Sequence, residues 1–389
     1  MKSLIVKLAL AALCAGTPPA AHAADITVCM WGTITGPDAL LNGMTYGARD
    51  HFGYLNQAEG GIEGNHIKTI VLDGRYKLDE EQKIYRRCVG EENAVFVKGW
   101  STGAVKSLRD QIQADAVPFM TDSHSSEVHD PQKLPYIFIP GPTYEQQILI
   151  GLRSAAQAGA KRVVIMHANN EYGRAPVEVV RKSGAIEKIG LELVDQVEFP
   201  FDAQDLTGQV LRIKNESPDL VFVQASTPQM LVILRDAAKV GMPASLFMGN
   251  MYNIASAIPE QLGEGAEGFR TIQIYADFGE KIPAMDTINK YGENNKIEKR
   301  DTYYLKGWYE GVVMAAAIRN AVKKAGGVPD DLAAFRKSVR DEMEALVGVG
   351  TGGITPPVDY ANHQGTTQAR ISQIKQGKYV AISDWIKAE

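Results

Sequence analysis

Cysteine is scarce here: three in 389 residues. Only Cys29 and Cys88 lie past the first two dozen positions. A framework stapled by several disulfides is excluded, and so is a cysteine-rich zinc module. Histidine is nearly as rare, at seven. Positive charge is not in excess: 41 Lys and Arg face 46 Asp and Glu, a formal net charge of −5. Nucleic-acid binding rests on Lys and Arg contacts to phosphate, so no nucleic-acid partner is expected. Beyond residue 23 no run approaches the ~20 apolar residues of a membrane helix. Short repeats and low-complexity segments are absent. What remains is an ordinary globular composition, 45% hydrophobic and 22% charged, at a length that suggests two domains.

Residues 1–23 read differently. Lys2 and Lys7 make a positive start, Leu8 to Ala15 are almost all apolar, and Ala21-His22-Ala23 is an A-x-A cleavage site. This is the pattern of a secretory signal peptide, with a mature chain from about Ala24, placed in the periplasm. Lipidation at Cys14 is disfavoured by the bulk of Leu13 before it. Loss of two lysines and no acid takes the mature charge from −5 to −7.

The rest alternates strand and helix, which means parallel sheets with helices on both faces. Strands are expected at Ile26 to Trp31, His66 to Leu72, Val95 to Lys98, Val117 to Thr121 and Tyr136 to Ile139. Asp79-x-x-Gln82 resembles a capping box for the helix carrying Ile84 and Cys88. After Pro140-Gly141-Pro142 the pattern restarts, with strands at Arg162, Leu191, Leu220 and Leu246. Helices are expected from Val177 to Ile189, Leu206 to Asn215 and Ser226-Thr227-Pro228 to Val240. Phe269 to Tyr275 crosses back, Thr302 to Ala325 forms a long helix, and Ile354 to Pro357 is a third crossing. Gln368 to Ile374 and Tyr379 to Ile382 close the chain as a hairpin. His51 and Tyr54 read as packing or surface residues.

One stretch stands out. Val95-Phe96-Val97-Lys98 runs into Gly99-Trp100-Ser101-Thr102-Gly103 and then a helical pattern, so the turn lies at the carboxyl end of a strand. Ligands of parallel sheets bind there. Hydroxyls of Ser101 and Thr102 beside the free N–H groups of a helix start form an anion site. Trp31, Trp100, Ser123, Ser125, Tyr172, Ser226, Asn250 and Tyr252 also fall just past strand ends. Flat apolar walls with a few placed polar groups are the usual make-up of a small-ligand site.

Several short markers occur in a specific order. They are Thr35-Gly36-Pro37, Gly60-Gly61-Ile62-Glu63-Gly64-Asn65, Val117-Pro118-Phe119-Met120-Thr121 before a Ser-rich loop, Glu171-Tyr172-Gly173, Phe247-Met248-Gly249-Asn250 and the closing hairpin. Together they resemble the leucine/isoleucine/valine-type periplasmic substrate-binding proteins of ABC importers, over essentially the whole mature chain. The resemblance implies an α/β fold of two doubly wound parallel-sheet lobes joined by three crossovers, the type I periplasmic binding protein fold. Residues 25–141 plus 275–353 would form the N-terminal lobe, and 142–274 plus 354–389 the C-terminal lobe. It implies a monomer that captures a small solute between its lobes and delivers it to an ABC permease in the membrane. It implies no catalysis, no cofactor and no metal. Hinges are expected near Gly141, Tyr275 and Pro356.

Carried over by position, Ser101 or Thr102 and Ser125 resemble the residues that hold a ligand carboxylate. Ser123 resembles the one whose carbonyl meets an amino group, and Tyr172 a wall of the second lobe. Two positions depart. Met251 stands where the amino-acid binders carry an acid for the ligand amine, and Ser226 where they often carry an aromatic. Both point away from an α-amino acid, toward a hydrophobic or aromatic monocarboxylate rather than leucine. A branched-chain amino acid or amide, and a sensory role using the same cleft, are the alternatives.

Two rival chemistries share these residues. Gly99-Trp100-Ser101-Thr102-Gly103 matches the G-x-S-x-G elbow of serine hydrolases, with His363 and Asp277 or Asp301 in the right order for a triad. No HGGG-type oxyanion segment precedes it, and a second strand–helix set has no place in a minimal hydrolase. Asp122, His124, His129 and Asp130 cluster in one loop without the defined geometry a zinc site needs. Finally, if the first strand lies between the second and third, the right-handed connection carrying Cys88 passes over Cys29. The two are then neighbours, and export permits a bond.

Overall fold

The structure is a computed structural model describing residues 25–388; the expected leader and its cleavage site lie outside them. The first lobe is built on five strands: β1 (Ile26–Gly32), β2 (Ile67–Asp73), β3 (Phe96–Gly99), β4 (Phe119–Thr121) and β5 (Ile137–Phe138). They pair in parallel in the order β2-β1-β3-β4-β5. β1 is buried along its whole length, as a continuous apolar run covered on both faces must be. The helices between the strands are α1 (Gly43–Glu59), α2 (Leu78–Gly90) and α3 (Thr102–Ala114).

Because β1 separates β2 from β3, α2 crosses over β1 and lays Cys88 above Cys29. The two are disulfide-bonded, with Cα atoms 5.6 Å apart. The expected capping box at Asp79 does not form: Lys77 is the N-cap, and Asp79, Glu80 and Glu81 all lie in the first turn. Three acids at the positive end of the helix dipole favour this start without a side-chain cap.

The crossing to the second lobe ends in α4 (Tyr144–Gln157), opened by a complete capping box of Thr143 and Gln146. Strands β6 (Arg162–Ala168), β7 (Glu192–Phe199), β8 (Leu220–Gln224), β9 (Phe247–Gly249) and β10 (Arg270–Gln273) follow. Between them lie α5 (Glu171–Lys182), α6 (Ala185–Lys188), α7 (Thr207–Asn215), α8 (Thr227–Lys239) and α9 (Ala257–Leu262). α5 begins at Glu171 rather than at the expected Val177. Asn170 caps it by accepting from the Gly173 N–H at 3.0 Å, which sets Tyr172 in the first turn.

The chain then returns. α10 (Ala284–Asn294), α11 (Thr302–Ala325) and α12 (Leu332–Glu344) belong to the first lobe. α11 meets α1 backbone to backbone: a Cβ on Gly47 would stand 2.0 Å from the Tyr304 carbonyl oxygen, and one on Gly307 2.1 Å from that of Met44. Only glycine fits either position. The third crossing comes later than expected. Tyr360 and Tyr309 hydroxyls meet at 3.1 Å, and His363 stacks on Phe138 at 4.3 Å. These contacts hold the chain to the first lobe through His363. Gln364 then bonds Gln146 of α4 at 3.0 Å, so the crossing falls at 364–366 rather than at Pro356. β11 (Gln368–Lys375) and β12 (Lys378–Ala381) form the expected hairpin, antiparallel to β10, and β13 (Ile386–Lys387) pairs with β11. Among the described residues no helix is long and apolar enough to cross a membrane.

Candidate functional site

The turn after β3 is the floor of the site. Ser101 caps α3, its hydroxyl accepting from the Ala104 N–H at 3.4 Å. Its own N–H turns inward and donates to Glu81 Oε2 at 3.1 Å, beside the Trp31 indole N–H at 2.7 Å. Burial pushes the Glu81 carboxyl up, and these two donors pull it back. Trp31 is therefore structural: it props the turn from beneath. Thr102 shares a hydrogen bond with the Ser123 hydroxyl at 2.8 Å. Among the described residues, the N–H groups of Thr102 and Gly103 meet no acceptor. They face outward at the positive end of α3, where an anion is favoured.

Three tyrosines of the second lobe form the opposite wall. Tyr144 and Tyr172 pack edge to face at 5.1 Å, and Tyr252 stands 6.0 Å from Tyr172 and 6.3 Å from Tyr144. Asn250 fixes Tyr172 by donating to its hydroxyl at 2.6 Å. Tyr144 donates to the Asp122 carbonyl at 3.2 Å, and Tyr252 donates to the same oxygen. That carbonyl belongs to the first lobe, so the aromatic wall is bonded across the cleft.

Behind the floor lies a ring of buried charge. Lys98 of β3 and Lys306 of α11 each contact both Asp122 and Glu310, and none of the four side chains is more than 3% exposed. Burial would raise Asp122, but Lys306 and Lys98 outweigh it and hold the carboxyl well below the usual range. Glu310 goes the other way: burial, with Asp122 nearby, pushes it up to about 7 against the pull of the same lysines. For Lys98, burial favours loss of the proton, and the two carboxylates more than restore it.

Between floor and wall is a narrow cavity of about 20 Å³, room for about one water molecule as the lobes stand. Leu41, Met44, Tyr76 and Trp100 line it with apolar surface, and Asp38 and Ser226 close it with polar groups. Asp38 comes from the turn after β1 and Ser226 from the N-cap of α8. They meet across the cleft, Oγ to Oδ1, at 2.5 Å. Burial pushes the Asp38 carboxyl up to about 7, with the Ser226 hydroxyl pulling the other way.

The periplasmic binding protein family model matches residues 25–378. The chain belongs to that family. It is 23% identical to Leu/Ile/Val-binding protein homolog 7 of Brucella suis biovar 1 (strain 1330), across 98% of this chain and 96% of that one. It is 23% identical to the Leu/Ile/Val-binding protein of Escherichia coli (strain K12) over 64% of this chain and 67% of that protein. Among solved structures, a branched chain amino acid ABC transporter protein from Thermus thermophilus with bound valine superposes with a TM-score of 0.85 at 23% identity, covering 93% of this chain and 96% of that one. A fatty acid ABC transporter substrate-binding protein from Thermomonospora curvata gives 0.80 at 17%, covering 94% and 93%. These two likenesses establish the type I binding-protein fold.

Within this family fold the expected site residues divide into two groups. Trp100, Ser101, Thr102, Tyr172, Ser226 and Tyr252 line the cavity. Trp31, Ser123, Ser125, Asn250 and Met251 stand behind its surface. Ser125 caps the short turn at Ser126, accepting from the Glu127 N–H at 3.3 Å. Met251 is fully buried, its N–H donating to Gln147 at 3.2 Å. Asp38, Tyr76 and Tyr144 also line the cavity and are not among the expected ligand contacts. Lys98 carried a readable signal, a lone lysine inside an apolar strand, and so did the pair Lys306 and Glu310 one turn apart on an otherwise apolar helix. Asp38 carried none beyond its place after Thr35-Gly36-Pro37.

The hydrolase elbow finds no support: neither ring nitrogen of His363 approaches Ser101, since they meet the Ile137 carbonyl and Glu344. The loop considered for a metal is dispersed, with Asp122 on the two lysines and His124 Nδ1 3.0 Å from the Pro142 carbonyl. Among the described residues no group of three or more His, Cys, Asp or Glu is placed to hold a metal.

Proposed function

We propose that the protein is the extracytoplasmic solute-binding component of an ABC importer. It works in the periplasm as a monomer without catalysis, and it captures a small hydrophobic or aromatic carboxylate or amino acid for a membrane permease. The observation that carries this reading is the cleft between the lobes. An aromatic wall from one lobe faces an unpaired helix start from the other, so both are complete only when the lobes meet. A ligand that bridges them favours the closed form and shifts the balance toward it. The carboxylate is assigned to the Thr102 and Gly103 N–H groups and the Thr102 hydroxyl, and the apolar part to Trp100 and the tyrosines. Two structural relatives, one with bound valine and one named for fatty acid transport, handle ligands that combine an acid group with an apolar body.

A thermal-shift screen of benzoate, 3-phenylpropanoate, branched-chain acids, leucine, valine and phenylalanine tests the reading. A ligand at 100 times its Kd adds ~2.7 kcal/mol and raises the midpoint by a few degrees. A screen in which no carboxylate moves the midpoint would overturn it.

A further inference from the structure

Two carboxyl groups reach the cavity, and they are provisioned differently. Asp122 has two ammonium groups on it. Asp38, only 4% exposed, has none among the described residues. Lys299 reaches the same turn, but its ammonium is on the Leu40 carbonyl and Asp301. The groups packed around Asp38 are Ser226 and Gln229 of α8, Tyr76 after β2, Tyr172 of α5 and Tyr303 of α11. The three tyrosines are all pushed well above their ordinary range by burial, so none offers a charge. A buried carboxylate without a cation is costly.

Hydrogen-bond counting says how the cost is avoided. The Ser226 hydroxyl lies within bonding distance of both Asp38 Oδ1 and Gln229 Oε1. The Gln229 amide is oriented by its other end, whose Nε2 donates to the Phe201 carbonyl at 2.8 Å, and its Oε1 also accepts the Ser226 N–H at 3.2 Å. A serine has one hydroxyl proton. It cannot serve two acceptors. The contact balances when Asp38 itself carries a proton and donates to Ser226, which donates to Gln229. Among the described residues Asp38 Oδ2 then has no hydrogen-bond partner.

We propose that Asp38 is the ligand-ammonium acceptor of this cleft, and that it exchanges its own proton for the ligand's cation on capture. The step balances as a neutral carboxyl plus an alkylammonium going to a carboxylate–ammonium pair plus one proton released to solvent. This rests on the cavity being the solute site, and it moves the acid for an amine from the second lobe, where Met251 stands, to the first. Met251 therefore does not exclude an amine, and the ligand class becomes one bearing both a carboxylate and a protonated nitrogen.

The test is calorimetry with matched probes on the wild-type protein and Asp38→Asn: phenylalanine, 3-phenylpropanoate and 2-phenylethylamine, with leucine, 4-methylpentanoate and 3-methylbutylamine as the aliphatic series. Wild-type affinity for the amino acids should rise about tenfold per pH unit up to about pH 7 and level off above. Proton release, read from buffers of different ionisation enthalpy, should approach one at pH 6. In Asp38→Asn the pH slope and the proton release should vanish, and amino-acid affinity should fall about 10- to 100-fold, well beyond any change for the amine-free acids. Equal losses for all probes, or an unchanged pH slope in Asp38→Asn, would overturn the proposal. Tight binding of the amine-free acids alone overturns it while leaving the carboxylate reading standing. Binding of the amines as tight as the amino acids instead overturns the carboxylate reading and leaves Asp38 as acceptor. No binding of any probe overturns both.

Discussion

Lys98 Nζ and Glu310 Oε2 stand 3.3 Å apart, with neither side chain open to solvent. One is on β3 and the other on α11, more than two hundred residues later in the chain. With Asp122 and Lys306 they close a ring in which each cation touches both acids. Such a ring holds together only as a set, because a buried charge that loses its partner keeps its full desolvation penalty.

Lys98→Met should therefore destabilise the protein by about 3–5 kcal/mol, read as a lower urea midpoint at pH 7. Glu310→Gln should cost clearly less, since Glu310 is raised to about 7 and readily takes a proton. Equal costs for the two variants would contradict the assigned charge states.

Asp38 predicts a pH-dependent stability difference in the ligand-free protein. Its carboxyl rises from 3.8 to about 7 on folding, so the folded state holds the proton more tightly. That contribution is fully present below pH ~4 and is lost as the pH climbs to about 7. His51 and His124 act in the opposite sense: burial lowers both to about 3, and the stability from keeping them neutral is lost on acidification below about 6.5. The net curve mixes these effects, but the difference between wild type and Asp38→Asn isolates one. Wild type should gain on the variant as the pH falls from 7 to 4, measured by urea unfolding at each pH. A constant difference would mean that Asp38 does not titrate in that window.

The bond between Cys29 and Cys88 spans 59 residues of sequence. In the chain-entropy model a loop of that size contributes about 4 kcal/mol. The oxidised protein should show no free thiol at either position under denaturing conditions. The Cys29→Ser, Cys88→Ser double variant should lower the urea midpoint accordingly. An unchanged midpoint would mean that the bond does not restrict the unfolded chain.

Thr102 tests the carboxylate contact without removing the helix cap that Ser101 supplies. Ser101 caps α3, so Ser101→Ala should cost about 1 kcal/mol of stability by itself. Thr102→Val keeps the shape and removes the hydroxyl shared with Ser123. It should weaken a bound carboxylate by about 1.5–3 kcal/mol, beyond the stability cost of the lost Ser123 contact read separately from the ligand-free melting temperature. Unaltered affinity in Thr102→Val would place the carboxylate elsewhere in the cleft.

Much of the frame was legible because its signals are local. The alternation of apolar runs and helical spacings located the strands, the long helix Thr302–Ala325 and the closing hairpin. The turn at Ser101 and Thr102 was readable because a strand end and a helix start sit side by side in sequence. The misses have physical causes too. Asp79 gave way to a start of α2 favoured by charge, and the helix carrying Tyr172 starts earlier because the Asn170 cap overrides the weaker apolar spacing. The late crossing at 364–366 depends on Tyr360 and His363 finding Tyr309 and Phe138, which no neighbouring residue announces.

The sequence by itself determined the family, the two α/β lobes and the strand-end positions where a ligand would be met, because periodicity and turn chemistry act over a few residues. Tertiary structure decided which charges meet. Asp38 finds Ser226 across 188 residues, and Lys306 finds Asp122 across 184. Whether an acid is an ion, a proton donor or a ligand contact depends on the dielectric and the partners around it. Those exist only once the lobes have packed.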